Sequence, residues 1–467
     1  LVYRTLMMVN KIMAESHSEA LEKWLTQIEG NHPSEIEMGL DRVLTVYSKF
    51  RTKRLAKQVV LVAGTNGKGS TVAVLEKLLL AAGKTVGVYS SPHINIYNER
   101  IRINGDLIDD KRLVESFQNV EQVRGNIPLT YFEFGTLGAI ACLQKEALDI
   151  VLLEVGLGGR LDAVNIVDPD LSIITSVDID HTEWLGNDRE SIGFEKAGIF
   201  RKDIPAIYGG EDPPESVLQQ AVSQSINLHV FQTEFGLSEA EDSSSDQYDW
   251  VYQPNLMGGT TRKKAYIQTL DKTSKTISMP FSLLPESNIL AAVQAMECLG
   301  YSVTNEKLAA SLDGFSVKGR FDIQSTQPLV VFDVGHNPHA ARFLSRRLAG
   351  IKGACPVYAV FSVLADKDVD GIVEGLIGEV EHWFIAPLSG ERAMALSLIE
   401  KTMDTKGQHY STFSSLGSGS EKALQTATEI DGIVISFGSF HVVSDISGVA
   451  CWYLKIPVIP ISIVNEL

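Results

Sequence analysis

The run Val59 to Ser70, VVLVAGTNGKGS, constrains what this 467-residue chain can fold into more than any other feature. An apolar strand breaks into a glycine-rich turn that carries a lysine and a hydroxyl. The next apolar residues, Leu75, Leu78, Leu79 and Ala82, recur at helical spacing until Gly83. A strand, a glycine loop and a helix in that order surround an anion with backbone N–H groups and the positive end of a helix dipole. The loop therefore reads as a nucleotide phosphate cradle: Gly64, Gly67 and Gly69 let the backbone turn, Lys68 places a point charge at a terminal phosphate, and Ser70 can ligate magnesium.

Apolar runs then alternate with helical patterns. Thr85 to Tyr89, Ile150 to Leu153, Leu171 to Val177 and Pro205 to Tyr208 read as strands of a mainly parallel sheet. A second alternating unit begins after Gly319, with strands at Leu329 to Phe332, Val357 to Phe361 and Ile433 to Phe437 and a helix at Ala340 to Ala349. The predicted fold class is α/β: a P-loop ATPase domain over residues 1–316 and a smaller Rossmann-like domain over 317–467. Between strand-rich stretches, the polar, turn-rich Thr233 to Lys264 reads as an exposed loop or hairpin insertion. No internal repeat relates the two halves.

A formal net charge of −17 argues against a broad nucleic-acid or membrane footprint and leaves room for a local basic pocket. Cys142, Cys298, Cys355 and Cys451 lie far apart without metal-ligand spacing, as expected of reduced thiols in a cytoplasmic protein. Neither a signal peptide at the N-terminus nor a membrane span in the apolar Gly448 to Val464 stretch is expected, the latter being a packed or frayed tail.

Functional side chains in such sheets gather at the carboxyl ends of strands. Glu154 follows the strand IVLL and precedes the turn Gly156, Gly158, Gly159, so its carboxylate belongs at that edge. Magnesium takes a few hard oxygen ligands beside substrate phosphates, and Ser70, Ser91 or Glu154 can supply them. His181 ends the run SIITSVDIDH as a nitrogen ligand or a phosphate contact.

The loop departs from the general phosphate-loop pattern: its first glycine lies three residues before Gly67, and Gly69 separates Lys68 from Ser70. In this GTNGKGS resembles the variant of the Mur ligase and folylpolyglutamate synthetase superfamily, ATP-dependent enzymes that join an amino acid to a carboxylate. YSSPH (Tyr89 to His93), ERIRING (Glu99 to Gly105), LTYFEFGT (Leu129 to Thr136), LEVGLGGRLDAVN (Leu153 to Asn165), DHTEWLG (Asp180 to Gly186) and FEKAGIF (Phe194 to Phe200) are together similar to the bacterial dihydrofolate synthase/folylpolyglutamate synthase family. GRFD (Gly319 to Asp322), FDVGHNPHAA (Phe332 to Ala341) and FGSFHVV (Phe437 to Val443) extend the resemblance into the second half.

The resemblance implies ATP contacts at Thr65, Asn66, Gly67, Lys68, Gly69, Ser70, Asn288, Arg320 and Asp333, and a magnesium held by Ser91, Glu154 and His181. It implies that the Lys196 amine reacts with carbon dioxide to become a carbamate supporting a second metal. Thr130, Tyr131, Phe132, Glu133, Leu161, Asp162 and Ala163 are the candidate pterin contacts, with the aromatic rings against a flat pterin and Glu133 or Asp162 on its amino-pyrimidine edge. His336 either positions the acyl phosphate or glutamate, or is a turn histidine bonded to backbone. Gly335 and the VKG before Arg320 stand where related sequences commonly have alanine and proline, which predicts a looser linker.

The implied reaction activates a substrate carboxylate with ATP as an acyl phosphate, which the amine of L-glutamate then attacks. Implied acceptors are dihydropteroate and tetrahydrofolate with its polyglutamates, and a monomer is expected. A single-function folylpolyglutamate synthase is the nearest alternative. LTYFEFGT and GLGGRLDA argue against a Mur-type cell-wall ligase, whereas Lys196, His181 and HNPH would go unexplained in a nucleotide switch without turnover.

Overall fold

The computed structural model describes residues 17–32, 34, 36–50, 54–238, 263–390 and 392–453, with side chains to 447. These residues form two compact units that meet in sequence between Asp313 and Gly314.

In the first unit, β1 (Gln58–Ala63), β2 (Val86–Tyr89), β3 (Ile101–Ile103), β4 (Asp106–Leu107), β5 (Ile150–Glu154), β6 (Leu171–Ile174), β7 (Ala206–Tyr208) and β8 (Leu228–Val230) make one sheet in the order β4-β3-β2-β5-β1-β6-β7-β8. The strands from β2 to β8 in that row run parallel, and β3 and β4 extend it as an antiparallel edge. Val59 to Ala63 are wholly buried, which is why β1 reads as a continuous apolar run: helices cover both faces of a parallel sheet. The helix Lys68–Ala81 starts inside the glycine loop, and buried residues from Ser70 to Leu79 line several of its sides. The helix Tyr131–Leu143 is buried at every position from Glu133 on, under a Thr130–Glu133 capping box.

The strand expected over Leu171 to Val177 stops at Ile174. Beyond it the chain leaves the sheet because its polar groups bind the phosphate loop: the Thr65 and Asn66 amides donate to Ser176 O (2.9 Å) and Ser176 Oγ (3.0 Å).

The polar stretch expected as an insertion is flanked by strands. β9 (Gly236–Leu237), β10 (Lys263–Gln268) and β11 (Ser274–Met279) form a separate antiparallel sheet, and residues 239–262 lie outside the described residues, as do the N-terminal residues 1–16.

The second unit holds β12 (Asp322–Thr326), β13 (Leu329–Phe332), β14 (Val357–Phe361), β15 (His382–Ile385), β16 (Tyr410–Thr412) and β17 (Ile433–Phe437), in the order β12-β13-β17-β14-β15-β16. Only β12 is antiparallel. HNPH becomes the start of the helix Pro338–Ile351: Asn337 caps it by accepting the Ala340 amide at 2.9 Å, and Pro338 occupies the first turn. That helix buries Ala341, Leu344 and Leu348, one stripe at helical spacing. At the C-terminus the helix Phe440–Tyr453 takes up the start of the apolar tail, and the rest of the tail lies outside the described residues. No described helix is long and apolar enough to cross a membrane.

Candidate active site

Parallel strands of the first unit end together, which gathers Gly64 after β1, Ser91 after β2, Glu154 at the end of β5 and residues 175–181 after β6 on one edge. Gly67 has φ +87°, and a Cβ there would stand 2.5 Å from Asn288 Oδ1. Glycine is thus required twice, by the left-handed backbone and by the close approach of a buried asparagine from the helix Glu286–Cys298. A Cβ on Gly69 would lie 3.8 Å from a Glu154 carboxylate oxygen, so that buried acid sits against the first turn of the loop helix.

The first intrahelical bond runs from the Thr71 amide to Gly67 O (2.9 Å), so the Lys68, Gly69 and Ser70 amides have no acceptor within the helix. The amides of Thr65 and Asn66 face Ser176 instead. Thr65 Oγ1 donates to Asp178 O and accepts from its amide, both at 3.0 Å, and Thr175 Oγ1 donates to Asn66 O at 2.6 Å. Thr175, Ser176 and Asp178 brace the loop and were not singled out in the sequence. The signal for Thr175 and Ser176 was a pair of hydroxyls directly after an apolar strand, whereas Asp178 acts through its backbone. Lys68 Nζ folds back onto Gly64 O (2.9 Å) and Thr65 O (3.4 Å).

Gly64, Thr65, Lys68, Asp180, His181 and Lys196 line one cavity of about 20 Å³, room for a single water-sized group. His181 does not end a strand: it stands at φ +52° before the short helix Thr182–Leu185, its amide donating to Asp180 Oδ1 at 2.8 Å. Lys196, on the helix Arg189–Ala197, is 3% exposed rather than solvated. Burial, reinforced by the Lys68 charge and opposed by Asp180 and Asp162, lowers its ammonium to about 7.

The residues proposed for the pterin also converge, with divided duties. Phe132 packs on Gly156, where a Cβ would come 2.5 Å from its ring, and its ring lies 6.2 Å from Tyr89. Tyr131 borders Tyr97 at 6.0 Å, and burial pushes its hydroxyl to about 12. Asp162 closes the glycine loop, its oxygens accepting the Leu157 (2.8 Å) and Val164 (3.0 Å) amides. Burial raises its carboxyl to about 6. Leu161 is half-buried and Ala163 buried beside it. Thr130 and Glu133 serve the helix start: Glu133 Oε2 accepts the Thr130 amide at 2.8 Å, and Oε1 accepts Arg42 at 2.9 Å.

In the second unit, Asp333 follows β13 and accepts the Phe321 (2.8 Å) and Gly335 (2.7 Å) amides, burial raising its pKa. A Cβ on Gly335 would stand 2.8 Å from Asp333 Oδ1, so glycine suits this carboxylate position. The Arg320 guanidinium lies 5.6 Å from the Phe440 ring centre and the His336 ring 6.4 Å from it. His336 Nδ1 donates to Val334 O at 2.8 Å, the turn-histidine arrangement. Phe440, unassigned in the sequence, is what brings Arg320 and His336 to one surface.

Comparison with known proteins identifies the family and the fold. Residues 62–298 match the Mur ligase middle domain and residues 319–440 the Mur ligase glutamate ligase domain. The Escherichia coli dihydrofolate synthase/folylpolyglutamate synthase is 39% identical over 427 residues, 91% of this chain and 94% of that protein. The solved structure of E. coli FolC in complex with DHPP and ADP superimposes with a TM-score of 0.83 at 37% identity, over 93% of this chain and 98% of that one. A bifunctional folylpolyglutamate synthase/dihydrofolate synthase with Mn, AMPPNP and L-glutamate bound gives 0.81 at 38%, with the same coverage. The chain belongs to the dihydrofolate synthase/folylpolyglutamate synthase family of Mur ligases, ATP-dependent ligases of folate metabolism.

Proposed function

We propose that this chain adds L-glutamate to dihydropteroate, forming dihydrofolate, and to tetrahydrofolate and its polyglutamates, acting as a cytoplasmic monomer. One observation carries the ligase reading: the glycine loop, Lys68 and a buried Lys196 of lowered pKa share a single cavity. The acceptor assignment is supported by the aromatic pair Tyr131 and Phe132 beside the Asp162 loop.

Lys68 and the first-turn amides of its helix bind the ATP phosphates, with Asn288, Arg320 and Asp333 as further nucleotide contacts. Arg320 is assigned to the γ-phosphate, which its planar fork matches. The donor set fits magnesium: Glu154 offers buried hard oxygens at the loop helix, and Ser91 and His181 are on the same edge. A divalent ion held by these residues would neutralise phosphate charge. No group of three or more His, Cys, Asp or Glu side chains stands together among the described residues. A site of one or two protein carboxylates completed by substrate phosphates suits that arrangement.

Lys196 is prepared for carbamate formation. Its amine, neutral above about pH 7, attacks the carbon of carbon dioxide and loses a proton, leaving an anion that Lys68 attracts. The acceptor carboxylate then attacks the γ-phosphate, ADP leaves, and the glutamate amine displaces phosphate from the acyl phosphate. Lys68 and Arg320 stabilise the transferring charge. His336 is assigned to positioning glutamate or the acyl phosphate.

The test is incubation with ATP, L-glutamate and either dihydropteroate or tetrahydrofolate, following ADP release and product mass. Both products are expected. Turnover with tetrahydrofolate alone would reduce the protein to a single-function polyglutamate synthase, and Asp162→Ala should harm dihydropteroate use more than tetrahydrofolate use.

A further inference from the structure

Arg100, in the ERIRING motif, has no part in the assignments above, yet its guanidinium is among the most enclosed charges of the first unit. It is 7% exposed, and no carboxylate figures among the groups that act on its charge. Burying a cation in this way is unfavourable unless each donor direction is met. Here the partners are neutral. Nε donates to His93 Nδ1 at 2.9 Å, which makes His93 the neutral tautomer with its proton on Nε2. The guanidinium carbon lies 5.0 Å from the Tyr97 ring centre and 5.5 Å from that of Tyr131, and the Tyr89 hydroxyl is close enough to act on its charge.

These partners belong to separate pieces of the site. Tyr89 ends β2, and His93 closes the Ser90 to His93 loop that carries Ser91. The Arg100 carbonyl holds the same loop by accepting the Ser90 amide at 2.8 Å. Tyr131 is the first residue of the helix that presents Phe132. The aromatic platform is itself built to fit: a Cβ on Gly135 would fall on the Tyr97 hydroxyl, and Thr136 Oγ1 donates to the Tyr89 hydroxyl at 3.3 Å.

We infer that Arg100 is a positioning residue that couples the Ser91 loop to the acceptor end of the Tyr131–Leu143 helix. The inference rests on the metal and acceptor assignments proposed above. Its consequence is specific: one substitution that touches neither ligand weakens both. A planar five-donor fork can serve His93, Tyr89 and two ring faces together, whereas a lysine ammonium of the same charge cannot.

The experiment compares wild type, Arg100→Met and Arg100→Lys by circular dichroism, pteroate binding by calorimetry, and Mn2+ binding in the presence of AMPPNP by electron paramagnetic resonance. Arg100→Met should weaken both pteroate and Mn2+ by about tenfold, the scale of losing an outer-shell support, with AMPPNP affinity in the absence of metal unchanged. Arg100→Lys should recover little of either. Folded variants with wild-type affinity for both ligands, or for one of them, would overturn the coupling. So would failure of both variants to fold, since Arg100 would then be a stability residue. Absence of pteroate binding by the wild type would instead defeat the acceptor assignment, and the Arg100 variants would not be needed to see it.

Discussion

Lys196→Met is the most informative single change, because the structure sets both its magnitude and its pH dependence. Burial brings the amine from 10.5 to about 7, so between those values the unfolded chain binds a proton that the folded chain does not. Stability therefore rises with pH across that window and lies at its lower level below pH 7. A shift of about 3.5 units at 1.36 kcal/mol each means that the charged amine costs about 5 kcal/mol at pH 6. Methionine removes that cost but leaves Asp180 and Asp162 without the lysine, so a net gain of about 2–4 kcal/mol is expected at pH 6. The gain should shrink by up to about 1.4 kcal/mol per pH unit between pH 7 and 10. Urea unfolding of both proteins from pH 6 to 9 in carbon-dioxide-free buffer measures it. Bicarbonate should then stabilise the wild type alone, and 13C-labelled carbon dioxide should give a carbamate resonance that Lys196→Met lacks. The variant should be inactive throughout. A variant less stable than wild type at pH 6, or a difference that ignores pH, would refute the reasoning.

Lys68→Ala should keep a near-wild-type melting temperature and lose ADP formation, since its ammonium bonds to the Gly64 and Thr65 carbonyls of its own loop while the loop backbone is held by Thr175 and Ser176; calorimetric melting with an ADP assay checks both halves. Glu154→Gln should fold and raise the half-saturating magnesium concentration by about tenfold or more, read from a magnesium titration of turnover. Gly67→Ala must accept φ +87° and push Asn288 aside, so urea denaturation should show a loss of about 2–4 kcal/mol together with weakened AMPPNP binding.

Much of this protein was legible in one dimension because the signals were local. Periodicity placed β1, β2, β5 and the loop helix. The strand–glycine–helix order located the phosphate loop, and helical spacing over Ala340 to Ala349 located the body of the helix Pro338–Ile351. The errors share a cause as well. The strand ending at Ile174 reads in sequence as running on to Val177, and the polar stretch Thr233 to Lys264 reads as a loop or hairpin insertion, whereas its two flanks pair with each other as β9 and β10. In each case the deciding hydrogen-bond partner lies far along the chain, as Ser176 does from Asn66.

Residue chemistry divides in the same way. The sequence by itself determined which groups are available: a loop lysine, strand-end acids, a histidine and an aromatic pair. Only the tertiary structure decided their states. A lysine in FEKAG is unremarkable as text, and burial, with the Lys68 charge second, is what lowers its proton affinity. Likewise nothing local distinguishes Arg100 from Arg102, yet one is enclosed by tyrosines and His93 while the other pairs with Glu76 at 2.8 Å. Burial and electrostatic environment are sums over neighbours distant in sequence, so they exist only once the chain has folded.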